Sequence, residues 1–402
     1  MPQPVIVAGA RTPIGKLLGG LTPLSAPQLG GAAIAAALQR AGITGDQVDS
    51  VILGNVVQAG VGPNPARLAA AAASIPLRVP ATTVNKLCLS GLTAIAQAAT
   101  QIATGYSEVV VAGGMESMSN APHLVPGVRR GLRYGGGAIN DALDSDALIC
   151  GFDGISMGAA TDLYQTAMGN ISREAQDAFA AESHARAAAA IKEGRLAEEI
   201  VPVASVRGRK GDVLVENDEG VRPGTTAGRL AALPPAFRAD GTITAGSASQ
   251  LSDGACAVVV MSKERAGELG LPWLAEIGAY GTVAGPDPSL LLQPAGAVRD
   301  ALRRDALGRD DTPDVKDLDL LEINEAFAAV ALASMRDLGV SADRVNVNGG
   351  AIALGHPVGM SGARLVLTLA MELRRRGGGT GAAALCGGGG QGDALIVRAP
   401  GS

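Results

Sequence analysis

The 402-residue chain carries 33 basic against 38 acidic side chains, a formal net charge of -5, and so lacks the basic excess that non-specific nucleic-acid binding needs. A hydrophobic share of 47% excludes a disordered chain, while aromatics at 2% and 56 glycines require a core of small aliphatic side chains packed closely. At this length two or three substructures are expected instead of one growing core.

In chain order, residues 4–8 form an apolar segment with no export signal before them, so a cytoplasmic protein is expected. Residues 29–40 read as an Ala-rich helix, 50–53 as a strand, 87–104 as a long helix and 108–112 as a strand. The uncharged run 87–107 has the length of a membrane span. Ser90, Thr93, Gln97, Thr100, Gln101 and Thr104 run through it, so a buried helix is predicted and no membrane association. From about 119 to 251 the character changes: Pro122, Pro126, glycines at 135–137, a charged helix over 173–194 and a polar stretch over 207–229 describe an inserted, loop-rich region. The tail then resumes the first scheme, with a strand at 319–323, helices at 326–338 and 361–375, and a strand at 382–385. This alternation predicts an α/β fold with substantially parallel strands.

An internal match supports a duplication. Val84-Asn85, Ser90-Gly91 opening a helix, and the strand 109–114 correspond to Val347-Asn348, Ser361-Gly362 and 383–388. Residues at equivalent ends of two such halves would meet near a pseudo-twofold axis. The predicted division is 1–118, completed by about 252–270, for the first half; 119–251 for the insertion; and 271–402 for the second half.

Four segments carry chemistry. In Asn85-Lys86-Leu87-Cys88-Leu89-Ser90-Gly91 a cysteine stands where an extended segment enters a helix; first-turn amides and the helix dipole would favour its thiolate and could hold an oxyanion. A small core residue is the competing reading of Cys88. The run 346–362 surrounds His356, one of three histidines, with glycines, which suits either proton transfer or capping of a helix beginning near Ser361. In Ala384-Leu385-Cys386-Gly387-Gly388-Gly389-Gly390-Gln391-Gly392 a strand ends in a cysteine and dissolves into glycines. In Glu322-Ile323-Asn324-Glu325-Ala326-Phe327, Asn324 could cap the following helix. Cys88, Cys150, Cys256 and Cys386 show no CxxC pairing, so reduced thiols and no metal site are expected. Residues 9–16 miss the spacing of a phosphate-binding loop, and Leu17 replaces its Ser or Thr.

Taken together, these segments, with 7–13, 113–119 and 242–249, resemble the thiolase family over essentially the whole chain. The resemblance implies the thiolase fold: two similar βαβ-rich halves in a five-layer α-β-α-β-α arrangement with an inserted loop domain. It implies that Cys88 is the acylated nucleophile, that Cys386 exchanges a proton at the substrate α-carbon, and that His356 activates Cys88 and polarises a thioester oxygen. One oxyanion site would be His356 with a water on Asn324, the other the amides of Cys88 and Gly388. Arg222, Phe237, Ala245 and Ser249 match positions that bind CoA, and Met157 one beside the acyl group.

The implied reaction is the condensation of two acetyl-CoA to acetoacetyl-CoA and CoA, or its reverse, by ping-pong through an acyl-cysteine. CoA is then a substrate or product and no cofactor is needed. The family also implies a homotetramer or homodimer. Departures are Ser156 where the family often has His, the run 159–163 after it, and Gly387 where an aliphatic residue is common. Rival readings are a degradative 3-oxoacyl-CoA thiolase for longer chains, a β-ketoacyl synthase, which would need no second thiol, and a silent CoA-binding scaffold.

Overall fold

The structure, a computed structural model, describes residues 1–168, 171–206, 212–307 and 313–401. The first half supplies β1 (Pro4–Arg11), α1 (Ala26–Ala41), β2 (Ser50–Gly54), α2 (Pro65–Ala72), β3 (Ala81–Val84), α3 (Ser90–Ala103) and β4 (Val109–Ser117). Between β4 and the next long strand lie α4 (Met157–Ala167) and α5 (Arg173–Lys192), with two separate two-stranded sheets. Then follow β5 (Ser252–Ser262), β6 (Ala275–Ala284), α6 (Gln293–Asp305), β7 (Leu320–Ile323), α7 (Ala328–Leu338), α8 (Val358–Arg375), β8 (Gly379–Gly387) and β9 (Gln391–Ala399).

Hydrogen bonding links these strands in the order β7-β8-β9-β6-β1-β5-β4-β2-β3, with the two-residue strand Gly15–Lys16 on β5. Read outward from the centre, both wings repeat one plan. The first is β1, β5, β4, β2, β3; the second is β6, β9, β8, β7, followed by Val345, which bridges to Leu321 in parallel. The wings meet through two residue pairs, Val5 with Glu276 and Ile6 with Ala275. Only the outer pairs β2–β3, β2–β4 and β7–β8 are parallel. The β1, β5, β6 and β9 ladders are antiparallel, which corrects the expectation of a substantially parallel sheet. Strand–helix alternation dictates parallel pairing only where a helix crosses over.

The layers follow from which helix faces are apolar. α1 packs on β1, β5 and β4 and contacts α2 on one outside; α6 packs on β6, β9 and β8 and contacts α7 on the other. α3 and α8 lie between the wings, and α8 is buried almost throughout from Val358 to Ala370. Their crossing is made by glycines. A Cβ on Gly91 would stand 2.9 Å from the Gly359 carbonyl oxygen and the Ala363 amide, and one on Gly362 would stand 2.4 Å from the Leu92 amide. Small residues therefore let two backbones touch, which is how a chain nearly free of aromatics fills its centre.

Among the described residues no strand between β4 and β5 joins the large sheet, whereas the equivalent strands β8 and β9 are joined by Gly388 to Gly390 alone. The charged helix expected at 173–194 is α5. Of the polar stretch 207–229, residues 207–211 lie outside the described residues. Among the described residues no helix is long and apolar enough to cross a membrane.

Candidate active site

The nucleophile candidate sits on a strained turn. Leu87, immediately before it, has φ +51°, a conformation that a branched side chain adopts only when its surroundings enforce it. The enforcement is visible. Asn85 Oδ1 accepts from the Leu87 amide at 3.1 Å, Ser90 Oγ accepts from the Lys86 amide at 2.9 Å, and Ser90 Oγ donates to the Leu87 carbonyl at 2.6 Å. α3 begins after this turn, at Ser90 with Leu89 as its N-cap.

Behind the turn, Lys86 Nζ donates to Asp393 at 2.7 Å, Thr282 at 3.0 Å and Tyr280 at 3.1 Å. These bonds fasten the Cys88 segment to the wing that carries Cys386. The two turns also interlock. A Cβ on Gly387 would meet Leu89 Cγ at 2.6 Å, and one on Gly388 would meet Leu87 Cδ1 at 2.8 Å and Met157 Cε at 2.3 Å. Gly387 is thus matched by the bulk of Leu89.

Cys88, His356, Cys386 and Gly388 line one cavity of about 380 Å3, together with Ser156, Met157, Phe237, Ala245 and Ser249. Its walls are chiefly apolar side chains, among them Leu148, Leu290 and Phe327. Phe237 meets Phe327 edge to face at 5.7 Å between centroids, and its ring occupies the space that a side chain at Gly158 would need. The loop carrying Ala245 and Ser249 is stitched to the start of α7 by Ser249 N–H to the Ala326 carbonyl at 3.0 Å and Ala328 N–H to Ser247 at 2.8 Å. Arg222 is exposed beside the cavity; its Nη2 reaches the lining residue Gln250 at 3.5 Å, and its amide donates to His184 Nδ1 at 3.2 Å. Ser156 both lines the cavity and caps α4, accepting from the Ala159 amide at 3.2 Å.

His356 is held from both ring nitrogens. Nδ1 lies 2.6 Å from Ser361 Oγ, and Nε2 lies 3.5 Å from Asn324 Nδ2, leaving Asn324 Oδ1 buried with no partner among the described residues. The capping readings give way here: Phe327 precedes α7 and Pro357 precedes α8, so neither Asn324 nor His356 caps a helix.

Electrostatics also differ from expectation. Burial pushes the Cys88 thiol up to about 12, although the amides of Cys88 itself and Gly388 pull the other way, so it rests as a thiol and not as the thiolate expected at a helix start. Burial, with Arg364 nearby, lowers His356 to about 4. Burial, with Cys88 close by, raises Cys386. The resting trio is therefore neutral. The sequence reading gave no role to Glu116, which collects the amides of Val56, Val57 and Gly359 and the Asn55 side chain at 2.8–3.2 Å, and none to Ser361. Neither has a local signal beyond its place in a glycine-rich motif.

Residues 4–264 match the thiolase N-terminal domain and 271–399 the thiolase C-terminal domain. This chain belongs to the thiolase family. As a thiolase it is an acyltransferase, and its relatives are similar end to end. It is 56% identical to a probable acetyl-CoA acetyltransferase of Mycolicibacterium smegmatis, over 98% of this chain and 100% of that one. It is 50% identical to the acetyl-CoA acetyltransferase of Pseudomonas aeruginosa over 99% of both. The crystal structure of the Bacillus anthracis acetyl-CoA acetyltransferase superposes with a TM-score of 0.94 at 42% identity, covering 99% of each chain.

Proposed function

We propose that this thiolase is an acetyl-CoA C-acetyltransferase, joining two acetyl-CoA into acetoacetyl-CoA and CoA and catalysing the reverse thiolysis. The carrying observation is that two thiols and one imidazole from both wings face one apolar cavity, beside the amides of Cys88 and Gly388. The protons balance over the cycle. Cys88 passes its proton to His356 Nε2 and attacks the acetyl thioester, with the Cys88 and Gly388 amides at the tetrahedral oxyanion. The departing CoA thiolate takes the Cys386 proton, which leaves Cys386 as a thiolate and His356 as an imidazolium.

The second acetyl-CoA gives its α-proton to Cys386. Its enolate oxygen is held by His356 Nε2–H and a water on the free Asn324 Oδ1. The enolate carbon attacks the acetyl group, and the released Cys88 recovers its proton from His356. Neither cofactor nor metal enters, CoA being substrate or product. Pantetheine lies along Phe237, Ala245 and Ser249 with the acyl end at Met157, and exposed Arg222 meets the CoA phosphates.

The supporting experiment is mass spectrometry after mixing with acetyl-CoA. An acetyl group is expected on the Cys88 peptide, retained in Cys386→Ser while condensation is lost. Normal thiolysis by Cys88→Ser would overturn the mechanism. Acetoacetyl-CoA should be cleaved in preference to 3-oxo-octanoyl-CoA.

A homodimer or homotetramer completes the proposal. β3 is an open sheet edge, and Val128, Leu132, Tyr134 and Ile139 are exposed on one loop-rich segment, both of which a second copy would cover. The same reading places the enzyme in the cytoplasm and takes 119–251 as the insertion between 1–118 with 252–270 and 271–402, since among its described residues that stretch adds no strand to the large sheet.

A further inference from the structure

Ser361 has one hydroxyl hydrogen and two acceptors in reach: the Pro357 carbonyl at 2.9 Å, one helical turn back, and His356 Nδ1 at 2.6 Å. Both contacts are buried. If the hydrogen goes to Pro357, the serine oxygen is an acceptor toward the ring, so Nδ1 must carry the imidazole proton. Nε2 then presents a lone pair, and the group opposite it, Asn324 Nδ2 at 3.5 Å, is a donor. The two ends of the ring agree on the same tautomer. In the opposite arrangement the Pro357 carbonyl would keep the Met360 and Ser361 amides, each at 3.0 Å, but Nε2–H would face the Asn324 amide donor, and that clash decides the tautomer.

We propose that Ser361 is a positioning residue that keeps the His356 proton on Nδ1, so that Nε2 alone takes up and returns protons at Cys88. This rests on the acetyltransferase reading, where Nε2 begins and ends the cycle as a lone pair and is N–H between. Which imidazole nitrogen is protonated is set by the hydrogen bond at the other. The Nδ1–H to Ser361 bond persists through every step, because neither the serine nor Nδ1 gives or takes a proton.

The test is nitrogen-15 solid-state NMR of the intact enzyme labelled at histidine. The chain has three histidines, His123, His184 and His356, so the signals missing from His356→Gln identify those of His356. A protonated Nδ1 and an unprotonated Nε2 are expected in the wild type. In Ser361→Ala the buried Nδ1–H loses its acceptor, so the protonated Nε2 form should appear; kcat should fall about 100-fold with KM little changed, the low end of a proton-transfer contribution. Ser361→Thr keeps the hydroxyl and should restore both the tautomer and the rate.

A wild type protonated at Nε2, or a Ser361→Ala enzyme with unaltered tautomer and kcat, overturns the assignment. A Ser361→Ala protein that does not fold leaves the wild-type spectrum and the threonine variant to decide. Absence of acetyl-Cys88 in the wild type would instead defeat the acetyltransferase reading, whatever the spectrum shows.

Discussion

At the scale of single residues, the site stores no charge at rest. Burial pushes Cys88 up to about 12 and His356 down to about 4, so thiol and imidazole are both neutral across the physiological range. The pH dependence follows from the sign of the second shift. In the proposed cycle His356 serves as base only while Nε2 is unprotonated, so activity should be retained as pH falls through the ordinary histidine range and lost as pH falls through about 4. kcat/KM for thiolysis, which reports the free enzyme, should hold its plateau down to about pH 5. An acid limb centred near pH 6.5 would mean that the imidazole is solvated in solution. The thiol makes a matching demand: alkylation of Cys88 should show no step near the ordinary cysteine range of about 8–9.

Between elements, the turn before α3 and the end of β8 are fitted as a pair. Leu89 fills the space in front of Gly387, where a Cβ would lie 2.6 Å from Leu89 Cγ. Gly387→Val alone should cost about 1–3 kcal/mol in urea unfolding by overpacking, and Leu89→Ala placed beside it should recover a large part. Additive losses in the double-mutant cycle would show that the two turns do not sense one another. The match was half legible in advance: the sequence marks Gly387 as a departure but gives no hint that Leu89, nearly three hundred positions earlier, occupies its space.

The same division holds for the larger elements. The positions of β1, β2, β4, β7 and β8 and of α1, α3, α5, α7 and α8 were legible from hydrophobic period, those of β3, β5, β6 and β9 were not, and the duplication was legible from the paired Ser-Gly segments, because Gly91 and Gly362 are required where α3 and α8 touch. The antiparallel partners of β5 and β9 were not legible, since their places are set by pairing with strands far away in the chain and not by a local pattern. The thiolate expected at Cys88 failed for an energetic reason: the helix starts two residues later, and desolvation outweighs the amides that face the sulfur. The roles proposed for Asn324 and His356 depend on a contact between residues 32 apart, which no cap motif encodes.

For the whole molecule, the question is what keeps two wings and the stretch between β4 and β5 in one register when the wings meet through two residue pairs of β1 and β6. Besides the α3–α8 layer, one buried cluster ties all three. Arg11, at the end of β1, grips Asp218 with two bonds of 2.7 and 2.9 Å and Glu199 with one of 2.8 Å. Both acids belong to the stretch between β4 and β5. Thr368 of α8, from the second half, donates to the other Glu199 oxygen at 2.8 Å, and Asp218 also accepts the Ile14 amide at 2.8 Å. Burial acts to lower the Arg11 pKa, but the two carboxylates outweigh it and hold the guanidinium charged.

Arg11→Met therefore should not lose one contact but strand two buried carboxylates, at a cost of about 3–5 kcal/mol. Arg11→Lys should recover only part, because a single ammonium cannot reproduce the planar fork that meets Asp218 and Glu199 together. The distinguishing variant is Arg11→Met combined with Glu199→Gln and Asp218→Asn. If the loss comes from uncompensated charge, urea unfolding of this triple variant should return most of the stability lost in Arg11→Met. If it remains as unstable as Arg11→Met, the cluster acts through the shape of its hydrogen bonds and not through charge, and the stretch between β4 and β5 is held to the wings by geometry alone.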